Sequence, residues 1–174
     1  MLIYQDIITG DELFSDAFDI KEVAGSYEID CAMIPVKQGA DVDIGANASA
    51  EEAGEELEDG VEIVNNVVYS FRLQSTSFDK KGFTVYVKGY LKALKALVAA
   101  QAEKDGKDVD AETKAFESQI TAEVKKILGN FKDYEFYVGE SMNPDGGLLF
   151  LNYREDGVTP FFTVFKAAVK TMKV

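Results

Sequence analysis

The chain has 174 residues, 47% of them hydrophobic, and a formal net charge of −13. That length and apolar content suit one domain around a single core, and the negative field disfavours direct binding to nucleic acid or to anionic membrane. With no histidine and one cysteine, Cys31, the sequence excludes imidazole-based nucleophile systems, imidazole metal sites and an internal disulfide.

The absences extend to longer patterns. No apolar run approaches the ~18 residues of a membrane-spanning helix. Met1 to Asp6 lacks the basic and apolar regions of a signal peptide, which predicts no membrane insertion and a cytoplasmic protein. No Gly-rich phosphate loop and no Cys-x-x-Cys pair is present.

In chain order, residues 1–36 read as short strands. Leu2, Tyr4 and Ile7-Ile8 open the series, Thr9-Gly10-Asp11-Glu12 forms a polar turn, and Tyr27-Glu28-Ile29-Asp30-Cys31 alternates with period two. Pro35 belongs near a strand end or sheet edge, and Cys31 reads as a small buried apolar residue. From Gln38 to Phe71 there are nine acidic residues and no Lys or Arg. So little apolar surface predicts a long mobile acidic loop, spanning about 38–66. Asn65-Asn66 marks a turn, and the β-branched and aromatic run Val67–Leu73 reads as a strand.

A helical hairpin is predicted over about 79–130. Asp79 caps its first helix, in which Tyr90, Leu91, Leu94, Leu97 and Val98 recur at helical spacing. Lys104-Asp105-Gly106-Lys107 is the turn. Asp108 or Asp110 caps the second helix, with its stripe Phe116, Ile120, Val124, Ile127 and Leu128, and Gly129-Asn130 stops it. Strands return at Tyr134–Val138, Leu148–Tyr153 and Thr159–Lys166, separated by turns at Asn143–Gly147 and Glu155–Gly157. Strands, a hairpin of helices and strands again predict an α+β fold with a mostly antiparallel sheet.

Charge is segregated along this order. Residues 79–132 hold eleven basic against eight acidic side chains, and the remainder holds seven against twenty-three. The hairpin is a mildly basic appendage on an acidic body.

Five features could carry function. Asp41, Asp43, Asn47, Ser49 and Glu52 occupy positions 1, 3, 7, 9 and 12 of a calcium-loop outline, although glycine stands at position 5 rather than 6. This run reads first as a solvated acidic loop and second as a weak Ca2+ site; no cofactor is obligatory. Lys81, Lys88, Lys92 and Lys95 stack on one helix face, either as a basic strip for an acidic partner or as ordinary solvated surface. Asp11-Glu12 and nearby Asp16 place carboxylates in an early turn. Arg154-Glu155-Asp156-Gly157 reads as a hairpin turn with a local ion pair, and Glu140-Ser141 offers a hydroxyl with no base to activate it.

Two motifs carry a family resemblance. The first is Ile44-Gly-Ala-Asn-Ala-Ser-Ala-Glu51. The second runs Phe136-Tyr-Val-Gly-Glu-Ser-Met-Asn-Pro-Asp-Gly146, then Leu151-Asn-Tyr-Arg-Glu-Asp-Gly-Val-Thr-Pro-Phe161 and Lys166. With Ile3-Tyr4 and Asp11–Asp16, they resemble the translationally controlled tumour protein (TCTP) family, also called histamine-releasing factor or fortilin, over essentially the whole chain. Asn65–Gln74 and Phe78–Lys81 resemble fungal members. The resemblance implies one TCTP domain over residues 1–174, with a tent-like β core, a projecting helical hairpin and a long mobile loop. It implies a non-enzymatic, monomeric, cytoplasmic and cytoskeleton-associated protein. Its implied links are to growth, to translation elongation factors in protein biosynthesis, to tubulin and microtubules, and to calcium. A guanine-nucleotide-exchange or chaperone-like role toward a Ras- or Rab-like small GTPase is the alternative. Glu12 matches the family's acidic GTPase-contact position, and Lys88, Lys92 and Lys95 are the local basic residues where microtubule association is placed. Residues 101–116 depart most from the family pattern.

Overall fold

The computed structural model describes residues 1–23, 25–37 and 60–174. Eleven strands and three α-helices are present among them. The strands are β1 (Leu2–Asp6), β2 (Glu12–Ser15), β3 (Ile20–Val23), β4 (Ser26–Asp30), β5 (Met33–Lys37), β6 (Val61–Asn65), β7 (Gln74–Thr76), β8 (Glu135–Val138), β9 (Leu149–Tyr153), β10 (Pro160–Phe165) and β11 (Val169–Lys173). The helices are α1 (Asn66–Phe71), α2 (Lys80–Lys104) and α3 (Val109–Gly129). A six-stranded sheet runs β3-β4-β10-β9-β8-β7, a three-stranded sheet β11-β1-β2, and β5 pairs with β6. Every pairing is antiparallel. The α+β class expected from the sequence is the class observed.

The six-stranded sheet lies between two apolar clusters. On one side Phe136, Phe150 and Phe165 pack with Phe83, Val87, Tyr90 and Leu94 of α2 and Phe116, Ile120 and Ile127 of α3. On the other, Leu149, Leu151, Phe162 and Val164 pack with Tyr4, Phe14, Ile29 and Val67. A strand covered on both faces cannot alternate with polar residues. All six residues of β10, Pro-Phe-Phe-Thr-Val-Phe, are therefore buried. Phe83 is the hub of the first cluster, with ring centroids 5.4 Å from Phe136, 5.6 Å from Phe131 and 6.0 Å from Phe150.

The helical hairpin forms where its caps predict. Asp79 accepts the Gly82 N–H, Asp108 accepts the Ala111 N–H, and Gly106 takes φ 71° in the connecting turn. Asp108, not Asp110, is the cap. Asn130 ends α3.

Several local expectations are corrected. Val67–Leu73 is not a strand: Asn66–Phe71 is helical. The Asn65 carboxamide oxygen accepts the N–H groups of Val67 and Val68 at 2.9 and 3.2 Å, and Arg72 closes the turn at φ 54°. Asn66 meanwhile exchanges backbone and side-chain hydrogen bonds with Ala32. Capping and the burial of Val67 override β propensity. The expected loop over 38–66 ends too late, because Val61–Asn65 is a strand paired with β5. Pro35 sits in that two-stranded ribbon opposite Ile63, in keeping with an edge position. Glu12 opens β2 rather than completing a turn, and β11 continues the chain as a strand past the expected end at Lys166. Cys31 is buried, as expected, with its thiol toward the Ile29 carbonyl.

Candidate partner-binding surfaces

The first surface is built on the β1–β2 connection. Asp6 is fully buried at the end of β1, its Oδ1 accepting the N–H groups of Ile8 and Thr9 at 2.8 and 3.2 Å. Its own N–H donates to the Asp11 carbonyl at 2.8 Å, and Gly10, at φ 82°, lets the chain reverse. The pairing register shifts between Tyr4 and Gln5, so that Gln5 faces Glu12 and Tyr4 faces Phe14. Leu13 is the extra residue of this bulge. It permits Leu13, Phe14 and Ser15 to be buried in succession while Glu12 stays exposed.

Asp11 is held in place while Glu12 is free. Asp11 Oδ2 accepts the Ser141 hydroxyl at 2.6 Å and the Ser141 N–H at 3.3 Å. A Cβ on Gly139 would lie 2.6 Å from the Asp11 Cβ, so glycine is required for this approach. Arg72, from the end of α1, pairs with Glu140 at 3.1 Å, both largely exposed. Together Gly10, Asp11, Glu12, Ser70, Phe71, Arg72 and Glu140 line a cleft of about 450 Å³. Three carboxylates against one guanidinium give it acidic character, and the Glu12 carboxylate makes no hydrogen bond or ion pair among the described residues. Such a carboxylate suits a basic partner surface. Arg72, Glu140 and Ser141 were not singled out for this cleft from the sequence: Ser141 is 130 residues from Asp11, and only the fold brings them together. The hydroxyl of Ser141 is committed to a carboxylate clamp.

The second surface is on α2. Lys88, Lys92 and Lys95 are all exposed on one helix face. Lys95 forms an ion pair with Glu117 of α3, which fixes it at the seam of the hairpin. Lys88 and Lys92 have no partner among the described residues and form the accessible part of the strip. The outer face of α3 adds Lys114 and Lys125 around Ser118 and Thr121.

The remaining candidates separate. Asp41, Asp43, Asn47, Ser49 and Glu52 lie outside the described residues. Among the described residues no group of three or more acidic or Cys side chains is placed to hold a metal ion, and no helix is long and apolar enough to cross a membrane. Arg154 does not make the expected local ion pair. Its guanidinium reaches back to β4, to Glu28 Oε1 at 2.5 Å and to Asp30 Oδ1 at 2.6 and 2.8 Å, and lies 3.9 Å over the Phe161 ring. Within the turn itself Asp156 instead accepts the N–H groups of Val158 and Thr159 and the Thr159 hydroxyl.

Known proteins resemble this arrangement over its full length. The family model described as translationally controlled tumour protein matches residues 1–170. Translationally-controlled tumor protein homologs of Candida albicans and Neurospora crassa are 59% and 61% identical, each covered completely along with this chain. The solved structure of the translationally controlled tumor-associated protein p23fyp from Schizosaccharomyces pombe is 54% identical with a TM-score of 0.79, and both chains are fully covered. The Caenorhabditis elegans protein is 31% identical with a TM-score of 0.68, over 100% of this chain and 99% of that one. Motifs, fold and full-length similarity agree, and the chain belongs to the translationally controlled tumour protein family.

Proposed function

We propose that this chain works without catalysing a covalent reaction, as a cytoplasmic interaction protein that links protein synthesis to growth and the cytoskeleton. The supporting observation is its pair of oppositely charged surfaces. Lys88 and Lys92 offer uncommitted ammonium groups on α2 to an acidic partner such as a tubulin tail, and the acidic body offers carboxylates to basic surfaces such as those of a translation elongation factor. Exposed charges of this kind set association rate and specificity and are screened by salt. Microtubule co-sedimentation tests the strip: Lys88→Glu/Lys92→Glu weakens binding at low salt, whereas binding equal to that of the unaltered chain removes the assignment. Weak Ca2+ binding at Asp41, Asp43, Asn47, Ser49 and Glu52 belongs to the same proposal. Millimolar Ca2+ that leaves the amide signals of residues 41–62 unmoved sinks it.

The Glu12 cleft favours a second reading, regulation of a Ras- or Rab-like small GTPase by exchange or chaperone-like binding. A free carboxylate beside a braced turn can compete for the basic or magnesium-binding groups that hold a nucleotide. Stopped-flow release of a fluorescent GDP analogue tests this, and Glu12→Ala accelerating release as well as the unaltered chain removes Glu12 from that role.

A further inference from the structure

At the tip of the hairpin, the last turns of α2 stand over the 3-10 turn Lys166–Ala168 and β11, leaving a crevice of about 560 Å³. Its wall is mostly apolar: Ile7, Leu97, Val98, Ala102, Ala167 and Val169. The apolar stripe of α2 explains it. Leu94 is completely buried, but one turn on Leu97 is 37% exposed and turned to the crevice. Small residues there, Ala100, Ala102 and Ala167, fill none of the gap.

The rim is charged in a way that selects a ligand. Five charged side chains border it: Lys104, Lys107, Lys170, Asp105 and Glu112. Both carboxylates are already engaged. Asp105 accepts two hydrogen bonds from the Gln101 amide at 3.0 and 3.1 Å, and Glu112 lies 3.9 Å from Lys107. Lys104 and Lys170 have no partner among the described residues. The crevice thus presents an apolar floor with two uncommitted ammonium groups, on a chain whose net charge is −13. Its size falls in the range of small-molecule sites, about 300–1,000 Å³, which combine apolar walls with a few polar groups that orient the ligand.

We propose that this crevice binds an amphipathic organic anion, an alkyl or aryl chain bearing one carboxylate, with the chain against Leu97, Val98 and Val169 and the carboxylate between Lys104 and Lys170. The chain contributes through burial of apolar area, and the carboxylate selects against cations and neutral alcohols. The site is separate from both the Glu12 cleft and the Lys88/Lys92 strip, so its occupancy does not depend on the function proposed for either.

Decanoate below its micellar concentration is the probe, titrated into the full isotopically labelled chain. Amide and methyl shifts should saturate and concentrate at Ile7, Leu97, Val98, Ala102 and Val169. Decanol and decyltrimethylammonium should bind more weakly. Lys104→Glu/Lys170→Glu, at two exposed positions whose change leaves the core intact, should lower decanoate affinity about tenfold or more while leaving decanol binding unchanged. Shifts mapping elsewhere, equal response to the cationic chain, or equal decanoate affinity in the charge-reversed variant each overturn the proposal. So does saturation of the crevice by an acidic amphipathic peptide with no response to decanoate, which would make it a protein-docking groove instead.

Discussion

Asp6 and Gly147, 141 residues apart in sequence, are joined by a hydrogen bond of 2.7 Å from the Gly147 N–H to Asp6 Oδ2. The same carboxylate holds Ile8 and Thr9 through Oδ1, and Tyr86 of α2 donates to the neighbouring Gly146 carbonyl at 2.6 Å. One buried acid therefore ties the start of the three-stranded sheet to the loop before β9, and Tyr86 ties that loop to the hairpin. It also organises the turn that presents Asp11 and Glu12.

Replacing Asp6 should consequently destabilise the whole fold. Asp6→Ala strands three N–H donors, two of them in the turn and one buried, and each unsatisfied buried group costs about 1–3 kcal/mol. The expected loss is about 3 kcal/mol or more, read as a lower urea midpoint with unchanged slope. An unshifted midpoint would show that water replaces the carboxylate at no cost.

The hydroxyl of Tyr90 supplies a companion test. It is buried and has no hydrogen-bond partner among the described residues, and a Cβ on Gly147 would stand 2.5 Å from it. Tyr90→Phe removes a desolvated hydroxyl and should leave stability unchanged or raise it by about 1 kcal/mol. Gly147→Ala should destabilise, and the double variant should recover part of that loss. Additive effects in this cycle would mean that the two sites do not meet.

The Asn65 cap is testable in isolation. Asn65→Ala removes the acceptor for Val67 and Val68 and should cost about 1–2 kcal/mol. Amide exchange should quicken first in residues 66–71, while the α2–α3 amides keep their protection. Because Arg72 leaves the end of this helix, the variant should also loosen its pair with Glu140 at the edge of the Glu12 cleft.

Legibility in the sequence followed interaction range. The α2–α3 hairpin was readable down to its caps, since Asp79, Asp108, Gly106 and the apolar stripes act within a few residues of one another. The strands β4, β8, β9 and β10 were readable for the same reason. α1 was misread because Val67, Val68 and Tyr69 favour strands, and the deciding groups were a side-chain cap and a long-range pairing of Asn66 with Ala32. β2 was hidden by its bulge, which breaks the period-two pattern at Leu13. The Glu12 cleft combines residues near positions 11, 72 and 140, and Arg154 pairs with residues more than 120 positions away. No local spacing encodes such contacts. Glu12, Lys88 and Lys92 stand out as candidates from charge and family resemblance alone, but the commitment of Lys95 to Glu117 needed the packed hairpin.

Arg154 predicts an asymmetry between conservative and drastic substitution. Its fork serves Glu28 and Asp30 together and stacks on Phe161, a geometry lysine cannot reproduce. Glu28 is buried, so Arg154→Ala leaves a carboxylate without its counter-ion and should cost about 3 kcal/mol. Arg154→Lys should recover only part. Arg154→Met paired with Glu28→Gln should be milder than Arg154→Ala alone, and the reverse order in thermal melts would show that the unpaired Glu28 charge is not what the single variant suffers from.

In the adjoining turn, the N–H of Thr159, then the N–H of Val158 and the Thr159 hydroxyl, hold the Asp156 carboxyl below its usual value. A depressed carboxyl pKa stabilises the fold above the unfolded-state value, near 4, and that contribution disappears as pH falls through the folded-state value. Asp156→Asn should therefore lower stability near neutrality, where the ionised carboxyl contributes in full, and flatten the acid limb below pH ~4, so that the two chains converge at low pH. Side-chain carboxyl shifts followed by NMR should show Asp156 titrating below the exposed aspartates, and a midpoint at or above theirs would contradict the bonded turn.

Cys31 gives the opposite dependence. Burial, the largest influence, pushes its thiol up to about 11, against the lowering effect of Asn65. The folded state then holds a proton that the unfolded chain releases near pH 8.5. The stabilisation is complete below that pH and is lost as pH rises toward 11. Two readouts follow. A thiol reagent at pH 8 should modify the native chain more than tenfold slower than the denatured chain, because both thiolate fraction and access are low. Cys31→Ser, which keeps the size but does not ionise in this range, should show a shallower loss of stability between pH 8.5 and 10.5 than the native chain. Equal alkaline slopes, or native reactivity matching that of denatured protein, would place Cys31 in contact with solvent and detach it from the core formed with Ile29, Val67 and Phe162.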